Sequence, residues 1–287
     1  MHNTRKKNRG MKILLIVCTV LILIVVFFVV SDRRFHAGFV KMAEEIRIAN
    51  KLADPESITE AGLAGLPEVV ARYMRYSGLV GKKPISAVRW LHSGTFRPAA
   101  NREFFPIKGA YYVTANKPSF CWYGKISMAP GLSVAAFDSY YDGNGRMRIK
   151  IMSAFTLADE QSEFTDISSF GRMVTEMVIL PSFFLDSVRI SWIKADSASA
   201  ECLIKDSGMQ TSAKLNFSAE GSLEKIEVAR YYGQDGNQQT LEKFTGIAQG
   251  KRNHNGIILP EIFDGYWNLK TGDLHYVHFI VDSVEFQ

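Results

Sequence analysis

An apolar stretch near the N-terminus, Ile13–Val30, constrains the organisation of this chain more than any other feature. Its eighteen residues carry no charge, and Thr19 is their single polar interruption. Together with Met11 and Lys12 it forms a run of twenty residues. At a rise of ~1.5 Å per residue, a helix of this length spans about 30 Å, the thickness of the hydrocarbon core of a bilayer. We therefore predict a transmembrane anchor over residues 11–30.

The charge distribution predicts the orientation of this anchor. The chain has 34 Lys and Arg against 29 Asp and Glu, but five of the cations lie at or before Lys12 and no acidic residue precedes Asp32. The remainder is formally neutral, so the basic excess does not indicate a nucleic-acid partner. Because Lys and Arg stay on the cytoplasmic side of a membrane span, residues 1–10 form a cytoplasmic basic head. The body is then extracytoplasmic, and periplasmic if the host has an outer membrane.

A cleaved signal peptide is the alternative interpretation of the same stretch, since it also combines a basic start with an apolar run. The apolar core of a signal peptide is typically ~7–15 residues long, and the run here is longer. The nearest small-residue cleavage pattern, Val29-Val30-Ser31, is a poor match. The sequence therefore favours an uncleaved anchor.

Residues 31–64 are predicted to be a helical stalk and linker. Apolar side chains recur at three- and four-residue spacing over 39–53, while the opposite face is charged. Asp54-Pro55 should end this helix, which would lead away from the membrane. A second, short helix is expected near Leu66–Tyr76, with Pro67 at its start.

The rest of the chain, residues 65–287, has the pattern of an antiparallel β domain. From Ile85 the apolar period changes to two, and residues 120–128 read as a half-buried strand. Asp142-Gly143-Asn144-Gly145 is a hairpin signal, because Asp-Gly and Asn-Gly supply the positive φ that tight turns need. Similar turn residues recur at 206–208, 219–222, 234–237 and 270–273.

One helical insertion interrupts the strand pattern at 166–180. Thr165 or Asp166 is the expected N-cap, and Pro181 the expected end. The apolar face of this helix needs a partner. We therefore predict a mainly β fold: a curled antiparallel sheet or half-barrel of roughly ten strands, covered by helices and preceded by one N-terminal transmembrane helix. Cys121 and Cys202 are the cysteines outside the span, and the pattern favours buried free thiols over a disulfide.

Short motifs along the body resemble a family of bacterial proteins that are often membrane-anchored and have no established activity. The resemblance covers roughly Leu66 to Phe286, although the usual aromatic-rich stretch near 240–246 is reduced here to Phe244. The motifs are Leu66–Tyr73, Trp122, Met128–Gly131, Asp138, Tyr140–Gly145, Glu176 before Pro181, Phe217 with Gly221, and Pro260 before Trp267. In strand order the layout also resembles periplasmic lipoprotein-carrier half-barrels, which implies a curled sheet with a helical lid that holds acyl chains. A shared fold does not by itself establish a shared function.

Polar residues on apolar elements are the candidate ligand-binding set: Trp122, Asp138, Tyr140, Arg172 and Glu176. Arg172 and Glu176 lie four residues apart, so the simpler interpretation is an ion pair on the surface of a helix. The alternative is that Glu176 reaches into the covered sheet and binds a strand donor or a ligand head group.

A basic stripe is expected on one strand face from Arg146, Arg148 and Lys150. A solvated face is the simpler interpretation. Contact with anionic lipid head groups is the alternative, because the domain is tethered near a bilayer.

The patterns that would indicate metal or catalytic chemistry are incomplete. His275 and His278 have a helical ligand spacing, but 274–280 alternates as a strand, and residues three apart on a regular strand point to opposite faces. Asp142–Asn144 begins like a calcium loop, yet Met147 and Ser153 occupy the positions that need Gly and Glu. We therefore predict no metal site, no cofactor and no catalytic residue.

Three functions remain for such a chain, in order of preference. The first is a membrane-anchored, extracytoplasmic, non-enzymatic binder of a hydrophobic ligand such as a lipid or acyl group. The second is an envelope scaffold or interaction protein with a solid core. The third is a hydrolase that uses carboxylates, which a cluster of Asp138, Glu176 and a histidine around one cleft would favour.

Overall fold

A computed structural model describes residues 2–50, 55–233 and 239–287, with side chains from Gly10 onward. Its first helix, α1 (His2–Ala49), contains the apolar stretch. Gly10–Ala49 is long and apolar enough to cross a membrane, with a mean hydropathy of 3.7 over its most apolar window, and that window is 0% buried.

The body is one curled antiparallel sheet. Of the strands in the described residues, thirteen belong to this sheet, more than the roughly ten expected. The first half is formed by β1 (Ala87–Phe96), β2 (Phe105–Thr114), β3 (Ser119–Ala129), β4 (Leu132–Tyr141), β5 (Asn144–Ile151) and β6 (Phe155–Glu160). The second half is formed by β7 (Ile190–Ala195), β8 (Ser199–Asp206), β9 (Met209–Phe217), β10 (Leu223–Tyr232), β11 (Thr240–Gln249), β14 (Ile262–Leu269) and β15 (Gly272–Phe286).

Pairing between the first and the last strand joins these two halves. The order across the sheet is β6-β5-β4-β3-β2-β1-β15-β14-β11-β10-β9-β8-β7, so β6 and β7 are the two edges. A small separate hairpin consists of β12 (Arg252–His254) and β13 (Ile257–Leu259). The Tyr140 hydroxyl donates to Asp206 Oδ2 at 2.7 Å, which ties β4 to the distant β8. The predicted mainly β half-barrel is therefore confirmed.

The tight turns form where their residues indicated. Tyr141 pairs with Asn144, and Asp142 (φ 50°) with Gly143 (φ 79°) makes the two-residue turn between β4 and β5. Ser207 and Gly208 do the same between β8 and β9. The turn expected at 234–237 lies outside the described residues.

Two helices cover the concave face of the sheet. The short helix α2 (Glu68–Tyr76) buries Val70, Tyr73 and Met74. The inserted helix α3 (Glu163–Glu176) crosses the interior and contacts β4 and β5 on one side and β10 on the other. Its N-cap is Ser162 rather than Thr165 or Asp166, because the Ser162 hydroxyl accepts from Thr165 N at 3.3 Å. Asp166 Oδ1 instead accepts from Gly145 N in the β4–β5 turn, at 2.6 Å.

The segment expected as a stalk packs against the sheet instead of leading away from it. Phe35, Phe39 and Ile46 of α1 are buried against outward-facing residues of β2, β3 and β4, among them Tyr123 and Phe137. Asp32 Oδ1 accepts from Lys125 Nζ at 2.9 Å and from Ser153 Oγ at 2.6 Å. Strand β3 is therefore covered on both faces rather than half-buried. The apolar side of α1 is therefore buried against the β-sheet of the same chain.

The two body cysteines are free and buried. Cys121 belongs to the outer cluster under α1, whereas Cys202 belongs to the interior core. Since the two thiols lie on opposite faces of the sheet, they are not placed to form a disulfide.

Candidate functional site

A buried ionic cluster lies between α3 and the concave face of the sheet. The alternation of β4 turns Asp138 inward, and α3 brings Arg172 and Glu176 over it. Arg172 donates to Asp138 Oδ2 through Nη1 at 2.6 Å and to Glu176 Oε1 through Nε at 3.1 Å. The three side chains are only 10%, 3% and 6% exposed, respectively. The Arg172–Glu176 pair thus forms inside the domain rather than on the surface of the helix.

Aromatic rings and opposite charges stabilise the Arg172 guanidinium. Its central carbon lies 4.5 Å from the centre of the Trp122 ring and 5.4 Å from that of Phe120, a cation–π arrangement. Burial opposes ionisation, but the charges of Glu176 and Asp138 outweigh it and raise the pKa of Arg172. The guanidinium therefore remains charged at any physiological pH.

A second buried cation, Arg230 on β10, balances the cluster electrically. Its guanidinium lies 4.5 Å from the ring centre of Phe244 and 5.0 Å from that of Trp267, and its Nε donates to Ser168 O at 3.0 Å. Burial, followed by the charge of Arg172, lowers the pKa of Arg230 to about 10. It is still protonated near neutral pH, so two cations face two carboxylates.

An apolar cavity of about 280 Å³ adjoins this cluster. Its polar lining comes from Asp138, Arg172, Glu176 and Arg230. The other lining residues are Phe96, Pro98, Trp122, Ile126, Met128, Val134, Ala136, Met147, Ile149, Phe244, Trp267, Tyr276, Val277 and Phe279. A charged cluster at one end of an aliphatic and aromatic cavity suits a ligand with an apolar body and a polar group.

The cavity opens into a larger chamber of about 760 Å³. The two spaces share Met128, Met147, Ile149, Arg230 and other residues. The chamber extends to Ala158 and Glu160 on the edge strand β6, and to Ser168 and Ser169 of α3.

Some buried polar atoms near the cluster make no hydrogen bond to the described residues. They include Glu176 Oε2, the Tyr111 hydroxyl and Trp267 Nε1. Burial first, and then the charge of Glu176, raises the pKa of Tyr111, so this hydroxyl keeps its proton and faces the Glu176 carboxylate as a donor. Trp267 Nε1, a donor without a partner among the described residues, and the Glu176 carboxylate both belong to side chains that line the cavity.

His92 lies behind Trp122 and does not line the cavity. Its Nε2 accepts from Trp122 Nε1 at 2.8 Å. Burial, with a contribution from Arg172, lowers the pKa of His92 to about 3. His92 is therefore a neutral acceptor that holds the indole in place.

The structure places four of the five predicted ligand-binding residues together at the cavity: Trp122, Asp138, Arg172 and Glu176. Tyr140 is buried elsewhere, where it is hydrogen-bonded to Asp206 and stacked on Phe170 at 5.5 Å. Sequence reasoning missed Arg230, although a signal existed. Ile226, Val228 and Arg230 share a period of two, which puts a cation on the apolar inner face of β10.

The basic stripe lies on the outer face of β5, next to α1. Arg146 forms two hydrogen bonds to Asp159, at 2.8 and 2.9 Å. Arg148 lies over the Phe137 ring at 4.3 Å, and Lys150 lies 5.4 Å from the ring centre of Phe35. Burial lowers the pKa of Arg148, with Arg146 adding to the effect.

The two C-terminal histidines converge on one carboxylate, contrary to the expectation that they point to opposite faces. His275 Nε2 and His278 Nδ1 each lie 2.8 Å from Asp264 Oδ1. A β-bulge is the cause: Gly265 pairs with Val277 and Tyr266 with His275, so Tyr276 is the extra residue in β15. The extra residue reverses the alternation and places both imidazoles on the outer face.

The fold and the site define a class: a curled antiparallel half-barrel with a helix across its interior, an apolar cavity beneath that helix, and one apolar N-terminal helix. The chain belongs to the family of unknown function DUF6544, which matches residues 56–279. The predicted resemblance to a family without established activity is thereby confirmed.

Solved structures with a similar layout come from three bacteria. A domain named for outer membrane lipoprotein sorting, from Vibrio parahaemolyticus, is 10% identical with a TM-score of 0.42, over 77% of this chain and 91% of that one. A LolA superfamily protein from Nitrosomonas europaea is 8% identical with a TM-score of 0.38, over 77% and 92%. A beta-barrel-like protein of unknown function from Brucella abortus is 9% identical with a TM-score of 0.28, over 71% and 99%.

A search of curated proteins gives no match to this chain.

Proposed function

We propose that this chain is a membrane-anchored, extracytoplasmic, non-enzymatic binder of a hydrophobic ligand, a lipid or acyl group. The cavity beneath α3 carries the proposal. Pockets for small ligands typically occupy about 300–1,000 Å³. The inner cavity of about 280 Å³ is close to that range, and the adjoining chamber gives a longer ligand room to extend.

The lining of the cavity favours an amphipathic ligand over a fully apolar one. Most of the wall is aliphatic or aromatic, which suits an acyl chain. Near the ionic cluster, Trp267 Nε1 is buried without a partner among the described residues and can donate a hydrogen bond, and the Glu176 carboxylate that lines the same cavity can accept one. A polar head group there would satisfy atoms that otherwise lose their hydrogen bonds to water.

The chamber lies on the membrane side of the domain in this proposal. Phe155, on the edge strand β6, is exposed, and its ring centre lies 6.4 Å from that of Phe27 and 6.2 Å from that of Phe28. Phe27 and Phe28 lie near the C-terminal end of the apolar stretch of α1. With residues 11–30 in the bilayer and the N-terminus in the cytoplasm, β6 and the chamber it lines would face the outer leaflet. Arg146, Arg148 and Lys150 would then lie near its head groups.

Catalysis by the carboxylates has less support. Asp138 and Glu176 both accept hydrogen bonds from Arg172, and the nearby His92 has a pKa of about 3 and is already bonded to Trp122. Neither carboxylate shares a cleft with a histidine that could exchange a proton near neutral pH. An envelope scaffold with a solid core is disfavoured by the cavity itself.

Native mass spectrometry of the full chain, purified from bacterial membranes in mild detergent, tests the proposal. We expect a co-purifying lipid or fatty acid at one copy per chain.

A pair of tryptophan variants tests the position of the ligand. Met128→Trp would fill the mouth of the cavity, whereas Ser127→Trp adds the same side chain on the exposed face of β3. A fluorescent fatty acid should bind Met128→Trp about tenfold more weakly than wild type, a loss of about 1.4 kcal/mol. It should bind Ser127→Trp normally.

Three results would overturn the proposal. These are the absence of any bound lipid together with no binding of the fluorescent probe, equal binding by both tryptophan variants, or turnover of the lipid by the purified chain.

A further inference from the structure

A second polar cluster lies on the outer face of the sheet, away from the cavity. The bulge at Tyr276 sends Tyr276 and Val277 to the inside, where both line the cavity, and leaves His275 and His278 outside. Asp264 on β14 faces the same side. One ligand atom from each of these three side chains, two imidazole nitrogens and one carboxylate oxygen, lies within 4.8 Å of the other two.

The carboxylate of Asp264 is buried without a permanent cation. Its side chain is 6% exposed, and in the described part of the chain no Lys or Arg forms an ion pair with it. Gln249 Nε2 donates to Oδ2 at 3.1 Å, which leaves Oδ1 for the two imidazoles. A buried carboxylate is costly unless a cation or several hydrogen bonds balance it.

Neighbouring aromatic rings hold the His275 imidazole in position. The His275 ring is stacked on Tyr266, with a centroid distance of 4.4 Å and an angle of 17°, and the edge of Phe104 approaches it at 5.2 Å. The rings of His275 and His278 are nearly perpendicular, at 88°. A packed His275 ring and a His278 ring that each aim a nitrogen at one carboxylate oxygen form a partly preorganised arrangement.

We propose that Asp264, His275 and His278 form a binding site for a divalent transition-metal ion, most readily Zn²⁺. Two imidazole nitrogens and one carboxylate oxygen are a known zinc ligand set, with ligand distances of about 2.0–2.2 Å. For a tetrahedral ion with such bonds the ligand atoms are about 3.3 Å apart. The two nitrogen–oxygen distances of 2.8 Å would therefore widen by roughly 0.5 Å. The distance between the two imidazole nitrogens, at most 4.8 Å in the metal-free geometry, would adjust to the same value by rotation of the half-exposed His278 side chain.

The surroundings would complete such a site. The His275 and His278 side chains are 28% and 33% exposed, so a fourth position is open to water. Gln249 would orient the carboxylate through Oδ2. Since Asp264 belongs to β14 and the histidines to β15, the ion would also crosslink the strands across the bulge.

The alternative is a metal-free arrangement in which both rings donate to Asp264. In that case His275 Nε2 would share its proton between Asp264 Oδ1 and Val277 O, which lies 3.1 Å away. The first arrangement predicts that the chain binds Zn²⁺, and the second predicts that it does not, so Zn²⁺ binding distinguishes them.

Isothermal titration of the chelator-treated full chain in detergent with Zn²⁺ tests the proposal. We expect one equivalent bound per chain, and with Co²⁺ the intense visible absorption bands of a tetrahedral site. His278→Ala should weaken Zn²⁺ binding by more than about 100-fold, since loss of even an outer-shell partner costs 10–100-fold. His36→Ala, which removes an exposed histidine of α1, is the matched control and should bind as wild type does.

Asp264→Asn keeps the shape of the side chain while removing its charge. It provides a second test of the site in case the His278→Ala variant does not fold. It should retain the far-ultraviolet circular dichroism spectrum and lose the Co²⁺ bands. The proposal is overturned if the wild type binds no Zn²⁺, or if His278→Ala and Asp264→Asn bind it as tightly as the wild type.

Discussion

At the scale of single residues, we expect the stability of the domain to depend on the buried ion cluster of Asp138, Arg172 and Glu176. Arg172 serves two carboxylates at once and lies on the Trp122 ring, so its removal leaves two buried negative charges with one partner fewer. Breaking a buried ion pair by removing one partner is much more costly than replacing the whole pair.

Arg172→Met should lower the free energy of unfolding by about 3–5 kcal/mol, the range for a buried pair broken on one side. Denaturant unfolding of the full chain in detergent is the measurement. Arg75→Met is the control, because Arg75 pairs with Glu60 and Glu68 at the surface and its loss should change little. The cost of Arg172→Met should shrink in a chain that also carries Asp138→Asn and Glu176→Gln. An equal cost in both backgrounds would contradict the electrostatic explanation.

His92 should make the protein acid-sensitive above the range where carboxylates titrate. Its pKa in the folded state is about 3, below the unfolded value of about 6.5, so the unfolded chain binds the extra proton. Stability contributed by neutral His92 is complete above pH 6.5 and falls as the pH drops, by about 2 kcal/mol between pH 6.5 and 5.

Unfolding free energies at pH 6.5 and 5 would show this effect. His92→Gln keeps an oxygen that can accept from Trp122 Nε1 but does not titrate. The variant should therefore lose about 2 kcal/mol less than the wild type over the same interval. Parallel pH dependences of the two proteins would show that His92 is not buried in neutral form.

At the scale of elements, close contact with the neighbouring strand sets the position of α3. An added Cβ at Gly171 would lie 2.7 Å from Arg230 Cγ and 3.2 Å from Ala229 O. Helix propensity favours Ala over Gly by about 1 kcal/mol. At Gly171, an added methyl group would therefore stabilise the helix through propensity and destabilise the domain through the packing contact.

Gly171→Ala should destabilise the domain by about 1–3 kcal/mol, the typical cost of overpacking, because the strand backbone cannot yield. Gly65→Ala is the control, since nothing lies within 4 Å of its added Cβ. Thermal unfolding of both variants is the measurement. A rise in the midpoint for Gly171→Ala would show that α3 can move away from β10.

The second half of α1 depends on its contact with the outer face of the sheet. Phe39 is 2% exposed and its ring lies against Tyr123 and Phe137, whereas Val40 is 52% exposed. Phe39→Ala should increase amide hydrogen exchange over 35–49, because truncation of a buried aromatic costs about 3–5 kcal/mol. Val40→Ala should leave exchange unchanged. Uniform exchange in all three proteins would mean that the helix is undocked in solution.

At the scale of the whole molecule, the apolar stretch should determine which side of the membrane the body occupies. In spheroplasts of an expressing bacterium, external protease should digest the body and spare a tag placed before Met1, because the proposed topology keeps the basic head in the cytoplasm. Protection of the body until the membrane is disrupted would contradict this topology.

Several features of the architecture could be predicted locally. The apolar stretch, the Asp142-Gly143 turn and the inserted helix follow from hydrophobicity, positive φ and a three- to four-residue period, which neighbouring residues encode. The sheet contains thirteen strands in the described residues, whereas the sequence pattern predicts roughly ten. Edge strands show why: the side chains of β6 are almost all exposed, so its alternation is weak. The N-cap was misplaced by three or four residues because Asp166 serves the turn before β5 instead.

The sequence by itself determined the apolar stretch, the neutral β-rich body and the residue types that came to line a cavity, because each depends on composition or on short periodicities. Tertiary structure alone decided the rest. Strand pairing placed Asp138 under α3. The Arg172–Glu176 pair, expected on the helix surface, is therefore part of a buried cluster that also includes Asp138 and Arg230. One extra residue in β15 brought two histidines to the same carboxylate, and the packing of α1 on the sheet replaced a stalk. The partners of Asp138 and of α1 lie far away in the sequence, and the bulge in β15 depends on how that strand pairs with β14, so no local pattern records these contacts.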